Sequence, residues 1–183
     1  MNIPNILTIF RMCLIPVYIL AFALDGDSKN LAAIIFIAAS ATDVLDGYIA
    51  RKYNMTTKTG QLLDPLADKL MQLTVVISLL IAKILPVWFV VILAVKESLL
   101  IAGGIFLYSK KTFVKSNIFG KLNTIILFLA MVIMLFAHTN QLTTTIVLAV
   151  STASNIAAIG SYLYIYFIRQ KKYKDYINGG VSQ

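Results

Sequence analysis

Long apolar runs separated by short polar breaks dominate the chain. A helix needs about 20 mostly apolar residues to cross a bilayer. Lipid offers no hydrogen-bond partners to the backbone, so helices are the default, and the alternation typical of membrane β-strands is absent from the sequence. The pattern predicts an all-α integral membrane protein with six transmembrane helices, at about 7–24, 31–51, 68–84, 86–108, 121–138 and 143–168.

Basic residues lie on one side of this arrangement. The loops after the second and fourth spans and the segment after the sixth carry Arg51, Lys52, Lys58, Lys110, Lys111, Lys115, Lys121, Arg169, Lys171, Lys172 and Lys174. The opposite loops carry only Lys29 and Lys83. Because cytoplasmic loops are enriched in Lys and Arg, both termini are expected in the cytoplasm of a cell-membrane protein.

Composition supports one membrane domain over residues 1–183, with a basic cytoplasmic tail from about 169. Of the 183 residues 59% are hydrophobic and only 13% are charged, against about a quarter charged in soluble domains. The net charge is +8. Because the sequence predicts no soluble domain that could bind nucleic acid with these basic residues, we expect them to contact an anionic lipid surface or substrate. The single cysteine, Cys13, excludes an intramolecular disulfide.

Four of the eight acidic residues cluster within 26 positions: Asp43, Asp46, Asp64 and Asp68. The first two are three residues apart at the end of the second span, and the last two are four apart beyond a loop at 52–59. These spacings place each pair on one face of a helix, at the cytoplasmic rim. Carboxylates beside a membrane are costly and usually functional, and four together repel one another unless cations neutralise them.

Carboxylate oxygens are the ligands that Mg²⁺ and Mn²⁺ prefer, and no Cys and His set is present for a zinc site of the usual type. Helix capping, or pairing with nearby basic residues, could account for one or two of the aspartates. Four of them on two helical faces favour a metal site, and carboxylate-bound metal suits phosphoryl transfer.

The acidic segments also resemble a known signature. Residues 43–51 read D-V-L-D-G-Y-I-A-R and residues 60–68 read G-Q-L-L-D-P-L-A-D, with eight residues between. This resembles the D-x2-D-G-x2-A-R, x8, G-x3-D-x3-D signature of the CDP-alcohol phosphatidyltransferases at every fixed position. The six-span layout extends the likeness over almost the whole chain.

The resemblance implies a role for each signature residue. A divalent cation, Mg²⁺ or Mn²⁺ and two per site, would be held by Asp43, Asp46, Asp64 and Asp68. Asp68 would also be the base that deprotonates the acceptor alcohol. The CDP-diacylglycerol pocket would be shaped by Gly47, Ala50, Arg51 and Gly60. The family is often dimeric, so a homodimer is a further expectation.

The start of the chain bears on the acceptor. Asn5, Thr8 and Arg11 form a polar stripe on an apolar helix, which would also suit an interface anchor. An N-x2-T-x2-R opening is similar to that of the phosphatidylglycerophosphate synthases within the family, which implies sn-glycerol 3-phosphate as acceptor. Asn5 and Thr8 would then border the CDP-diacylglycerol site. Arg11, Lys115 and Lys121 are candidates for the acceptor phosphate.

Two features depart from that pattern. Those synthases commonly have arginine at the position of Lys96, which here precedes Glu97 inside an apolar run. The adjacent pair can neutralise itself or contact neighbouring spans. The segment 121–124, K-L-N-T, resembles an element of the cardiolipin synthases of the same superfamily, so phosphatidylglycerol remains an alternative acceptor.

A small cation transporter is an alternative of another class. It predicts carboxylates near the bilayer midplane and broken helices in repeated halves, whereas these aspartates lie at span ends in one half of the sequence. A purely structural scaffold leaves the four acids without a role.

Overall fold

In the computed structural model the described residues form six helices. They are α1 (Ile3–Leu24), α2 (Asn30–Lys52), α3 (Lys58–Ile81), α4 (Val87–Ser109), α5 (Ile118–Phe136) and α6 (Gln141–Gly179). The structure describes residues 3–26, 28–53, 58–109, 118–136 and 141–179, and within them the side chains of all but 3–5, 46, 50–51, 58–59, 61–62, 103–109 and 165–179.

The all-helical prediction is confirmed for the described residues, with two differences in helix bounds. Helix α3 begins at Lys58, ten residues before the predicted span, and Asp64 and Asp68 lie inside it, as their spacing predicted. Helix α6 continues to Gly179 and includes most of the segment expected as a basic tail. Residues 165–178 contain neither glycine nor proline, so no strong helix breaker interrupts them.

Four stretches of the described residues are long and apolar enough to cross a membrane. They are Ile6–Leu24, Asn30–Ile49, Ile118–Phe136 and Gln141–Tyr164. The first part of α3 carries Asp64, Asp68 and Lys69, which shortens its apolar stretch. The chain is therefore a membrane protein by the apolar length of its helices, while six spans and cytoplasmic termini stay predictions.

The loop between α1 and α2 is held by two side chains. Asp25 accepts a hydrogen bond from the backbone N–H of Leu31 at 2.7 Å, which satisfies a donor in the first turn of α2. Lys29 donates to the carbonyl oxygen of Phe22 at 2.8 Å and lies 4.3 Å from the centroid of its ring. A cation at the last turn of α1 also complements the helix dipole.

The residues Met1–Pro86 and Met131–Thr144 form one compact unit. Within it α1 packs against both α2 and α3, and more extensively than these two pack against each other. The interior contains Tyr18, Ala21, Ala32, Ala33, Phe36, Ala39, Ala67, Met71, Val75, Val76 and Leu79. Alanines on these faces let the backbones approach closely, as at many membrane helix contacts. Helix α1 therefore holds α2 and α3 together.

The residues Val87–Ala130 and Thr145–Gln183 form the second unit. Its buried polar side chains include Asn123 of α5, which accepts a hydrogen bond from Ser154 of α6 at 3.0 Å. The same two helices approach closely at Gly120, where a Cβ atom would lie 3.2 Å from Cζ of Tyr162 and closer still to its hydroxyl oxygen. The pair α5 and α6 therefore combines a polar link with a close contact between Gly120 and the Tyr162 side chain.

We expect Gly120→Ala to destabilise the protein by about 1 kcal/mol, because the added methyl group overlaps the Tyr162 hydroxyl. In a Tyr162→Phe background the overlap is largely removed, and the same change should be neutral or stabilising because alanine favours helix by about 1 kcal/mol over glycine. Thermal unfolding in detergent measures both effects.

Gly160→Ala is the matched control, because a Cβ there would meet nothing within 4 Å. Equal stability of Gly120→Ala and Gly160→Ala would contradict the close contact.

Candidate functional site

Two polar side chains of α1 are buried one helical turn apart. Thr8 is 0% exposed and Arg11 is 1% exposed, although both lie in a mostly apolar helix. A polar group in such surroundings is stable only with a hydrogen-bonding or charged partner. The partners of Thr8 and Arg11 define the candidate site.

Both partners are aspartates of the acidic cluster. The hydroxyl of Thr8 donates to Oδ1 of Asp64 on α3. Nη1 of Arg11 lies 2.7 Å from Oδ1 of Asp43 on α2. Helix positions three apart have Cβ atoms about 5–6 Å from each other. The two halves of the acidic signature therefore meet on one turn of α1.

The Arg11–Asp43 pair is asymmetric in exposure. The side chain of Arg11 is 1% exposed, whereas that of Asp43 is 40% exposed. The guanidinium thus lies inside the helix contact and the carboxylate lies at its edge. Asp64 is half-buried. Part of the Asp43 carboxylate remains accessible to a ligand.

The remaining signature residues are placed less completely. Asp68 is half-buried one turn after Asp64, and it follows Ala67, which is 0% exposed. Gly47 is half-buried on α2 and Gly60 is buried at the start of α3. The side chains of Asn5, Asp46, Ala50 and Arg51 and the whole of Lys115 lie outside the described residues.

The carboxylates that meet on α1 fit a hard cation by their chemistry, since both offer oxygen donors. Among the side chains that the structure describes, which do not include that of Asp46, no three acidic, histidine or cysteine groups lie close enough together to hold a metal ion. The expected four-carboxylate metal centre therefore stays a prediction.

The structure describes the side chains of two further residues singled out from the sequence, Lys96 on α4 and Lys121 on α5. The ammonium of Lys96, 4% exposed, lies 2.8 Å from Oε1 of Glu97, so the adjacent pair neutralises itself as the sequence indicated. Lys121, a candidate for the acceptor phosphate, is exposed on the first turns of α5. Exposure leaves its ammonium accessible to an anion.

Comparison with known proteins decides the family. Residues 1–163 match the family model of the CDP-alcohol phosphatidyltransferases. The chain belongs to this family. Members are generally dependent on a divalent metal, which agrees with the carboxylate chemistry of the site.

The individual relatives described below share the same name. The CDP-diacylglycerol–glycerol-3-phosphate 3-phosphatidyltransferase of Bacillus subtilis is 35% identical over 136 residues, which cover 67% of this chain and 70% of that protein. The proteins of the same name from Rickettsia felis and Yersinia enterocolitica are 52% identical over 80 residues and 44% identical over 91 residues. These two alignments cover 43% and 49% of this chain, and 44% and 49% of the relatives.

The contacts of Thr8 and Arg11 with aspartates were not predicted from the sequence. The polar stripe on α1 was interpreted as a contact with substrate or with the membrane interface. Instead, the side chains of Thr8 and Arg11 contact aspartates of neighbouring helices. One signal could have indicated this. A threonine and an arginine on the same face of a helix that must bury that face require polar partners on neighbouring helices.

We expect Thr8→Val to lower the free energy of unfolding by about 1.5–3 kcal/mol, the range for hydrogen bonds to charged groups. Valine has nearly the shape of threonine but cannot donate to Asp64, while Thr8→Ser keeps the hydroxyl and should stay close to wild type. Denaturant titration in mixed micelles measures the differences.

Thr74→Val makes the same chemical change on α3, where the threonine hydroxyl donates to the carbonyl oxygen of Leu70 in its own helix at 2.8 Å. This control should be near neutral. If Thr8→Val cost no more than Thr74→Val, the link from α1 to α3 would contribute nothing.

Proposed function

We propose that this protein transfers the phosphatidyl group of CDP-diacylglycerol to sn-glycerol 3-phosphate, producing phosphatidylglycerophosphate and CMP for phospholipid synthesis. The observation that carries the proposal is the meeting of Asp43 and Asp64, from two different helices, on one turn of α1. These contacts support a shared site to which α2 and α3 each contribute one aspartate of the signature.

The reaction joins the acceptor oxygen to the lipid-linked phosphorus of the diphosphate. The bond from that phosphorus to the bridging oxygen breaks, and CMP leaves with the bond's electrons. The proton of the acceptor hydroxyl goes to Asp68, which is half-buried and one turn from Asp64. A carboxylate in that position acts as base when it is within hydrogen-bond reach of the hydroxyl.

Asp43, Asp46, Asp64 and Asp68 would hold the divalent cation, Mg²⁺ or Mn²⁺. When bound, it supplies positive charge to the diphosphate and to the leaving oxygen. Thr8 keeps the Asp64 carboxylate oriented through its hydrogen bond. Gly47 and Gly60, which have no side chains, leave room for the nucleotide next to α2 and α3, and the CDP-diacylglycerol site would also include Ala50, Arg51 and Asn5.

Two observations support glycerol 3-phosphate as the acceptor. The names of relatives from three bacterial genera all specify glycerol 3-phosphate. In addition Asn123, which belongs to the segment 121–124 that suggested phosphatidylglycerol, is 1% exposed and hydrogen-bonded to Ser154. Packing between α5 and α6 accounts for this asparagine. Lys115 and Lys121 are our candidates for binding the acceptor phosphate.

The enzyme would span the cell membrane six times with both termini in the cytoplasm. Four helices satisfy the length and apolar character of a span, and the basic residues favour this orientation. The aspartates would then face the compartment that contains glycerol 3-phosphate and CMP.

The activity is tested with purified protein, CDP-diacylglycerol and Mg²⁺ or Mn²⁺, with CMP release as the measurement. We expect release to require glycerol 3-phosphate and to stop when EDTA removes the cation. Release that requires phosphatidylglycerol instead would identify a cardiolipin synthase. Cation flux across vesicles without CMP release would favour a transporter.

Asp68→Asn should lower kcat by at least about 100-fold, because the amide cannot accept the acceptor's proton. Binding of CDP-diacylglycerol should be retained, since the other three aspartates are unchanged. Asp25→Asn is the matched control, because Asp25 lies on the loop between α1 and α2 and an asparagine can still accept from Leu31. Near-normal turnover by Asp68→Asn would refute the assignment of the base.

A further inference from the structure

We propose that Arg11 is a built-in counter-cation of the acidic site, which holds Asp43 in place when no divalent metal is bound and weakens metal binding until substrate arrives. The inference rests on the proposed function, because it takes Asp43 as a metal ligand. Arg11 therefore acts through Asp43, as a positioning residue, and need not contact the acceptor.

Burial makes the role of Arg11 electrostatic. Its side chain is 1% exposed on a mostly apolar helix, and an arginine remains charged under all physiological conditions. A buried charge of this kind is stabilised by an opposite charge close to it. Its pairing distance of 2.7 Å to Asp43 is that of a charge-assisted contact.

The same positive charge acts on a second carboxylate. Arg11 follows Thr8 by one turn, and Thr8 donates to Asp64, so the residues that contact Asp43 and Asp64 are neighbours on one face of α1. Attraction between opposite unit charges on neighbouring side chains is substantial in a partly buried site. Without a metal ion, Arg11 therefore reduces the mutual repulsion of Asp43 and Asp64 and lets α2 and α3 pack on α1.

The same geometry opposes an incoming metal ion. Oδ1 of Asp43 is already paired with a cation, and a divalent ion at the adjacent carboxylates would be repelled by the guanidinium. The diphosphate of the substrate brings negative charge that offsets this repulsion. Metal binding and binding of the diphosphate should consequently strengthen each other, and Arg11 sets the size of that coupling.

The test is Mn²⁺ binding to purified protein in lipid nanodiscs without substrate, measured by the electron paramagnetic resonance signal of free Mn²⁺. We expect Arg11→Gln to bind Mn²⁺ about tenfold more tightly than wild type, because one repelling charge is removed. Arg11→Lys keeps the charge and should stay close to wild type. Addition of CDP-diacylglycerol should increase the affinity of wild type more than that of Arg11→Gln.

Lys29→Gln is the control for net charge. Lys29 precedes α2 and lies 14 residues before Asp43, about 21 Å along the helix, so its removal should leave Mn²⁺ affinity unchanged. A loss of affinity on Arg11→Gln would overturn the inference, since an arginine that only shapes the site would give that result. Unchanged affinity would overturn it as well.

Stability provides a second readout. In EDTA, Arg11→Gln should melt at a lower temperature than wild type, and saturating Mn²⁺ should restore more stability to the variant than to wild type. If Arg11→Gln does not fold, the double variant Arg11→Gln/Asp43→Asn removes both charges and must fold. Failure of the double variant would overturn the inference.

These outcomes are distinct from failure of the proposed function. Wild-type protein that binds no Mn²⁺ and releases no CMP would refute the metal site and the transferase activity together. Wild-type protein that releases CMP and binds Mn²⁺ with an affinity independent of Arg11 would refute only the counter-cation.

Discussion

The pairing of a buried arginine with a carboxylate on the next helix is the constraint on which the first three helices depend. The guanidinium of Arg11 is almost fully enclosed, and Asp43 at 2.7 Å supplies the opposite charge. Removing Asp43 would leave the buried guanidinium uncompensated, which is strongly destabilising. The pair therefore fixes α1 against α2 at one depth and one rotation.

A second polar contact extends this constraint to α3. Thr8 donates to Asp64 one turn away on α1, while buried alanines along α1, α2 and α3 allow close backbone approach. Apolar packing alone permits helices to slide and rotate in lipid, because the tails are as apolar as the side chains. Two polar contacts at neighbouring positions remove that freedom, and the carboxylates that fix the packing also belong to the family signature.

Much of the architecture could be predicted from the sequence, because it depends on local properties. Apolar runs of bilayer length predicted the helices, and the signature predicted the family that residues 1–163 match. The spacing of Asp64 and Asp68 predicted that both lie on a helix, whereas the apolar pattern alone located only its later part, because the two acids interrupt that pattern. The end of α6 was missed because the polar composition after residue 168 lowers hydropathy without breaking a helix.

The contacts of the site were harder to predict. The spacing of Thr8 and Arg11 indicates one helix face, but it does not say which helix that face meets. Thr8 and Asp64 are separated by 56 positions, and no local preference encodes a contact over that range. The adjacent Lys96 and Glu97 show the contrast, because neighbouring positions sufficed to predict their pairing.

Cross-linking between α1 and its two partner helices tests the central claim most directly. In a Cys13→Ser background, Thr8→Cys with Asp64→Cys, and Arg11→Cys with Asp43→Cys, would be treated in membranes with a short thiol-specific bifunctional reagent. Both pairs should cross-link efficiently. Thr8→Cys with Lys29→Cys should not cross-link, because Lys29 packs at Phe22, about 21 Å along α1 from Thr8. Folded protein in which neither of the first two pairs cross-links would contradict the packing of α1 against α2 and α3.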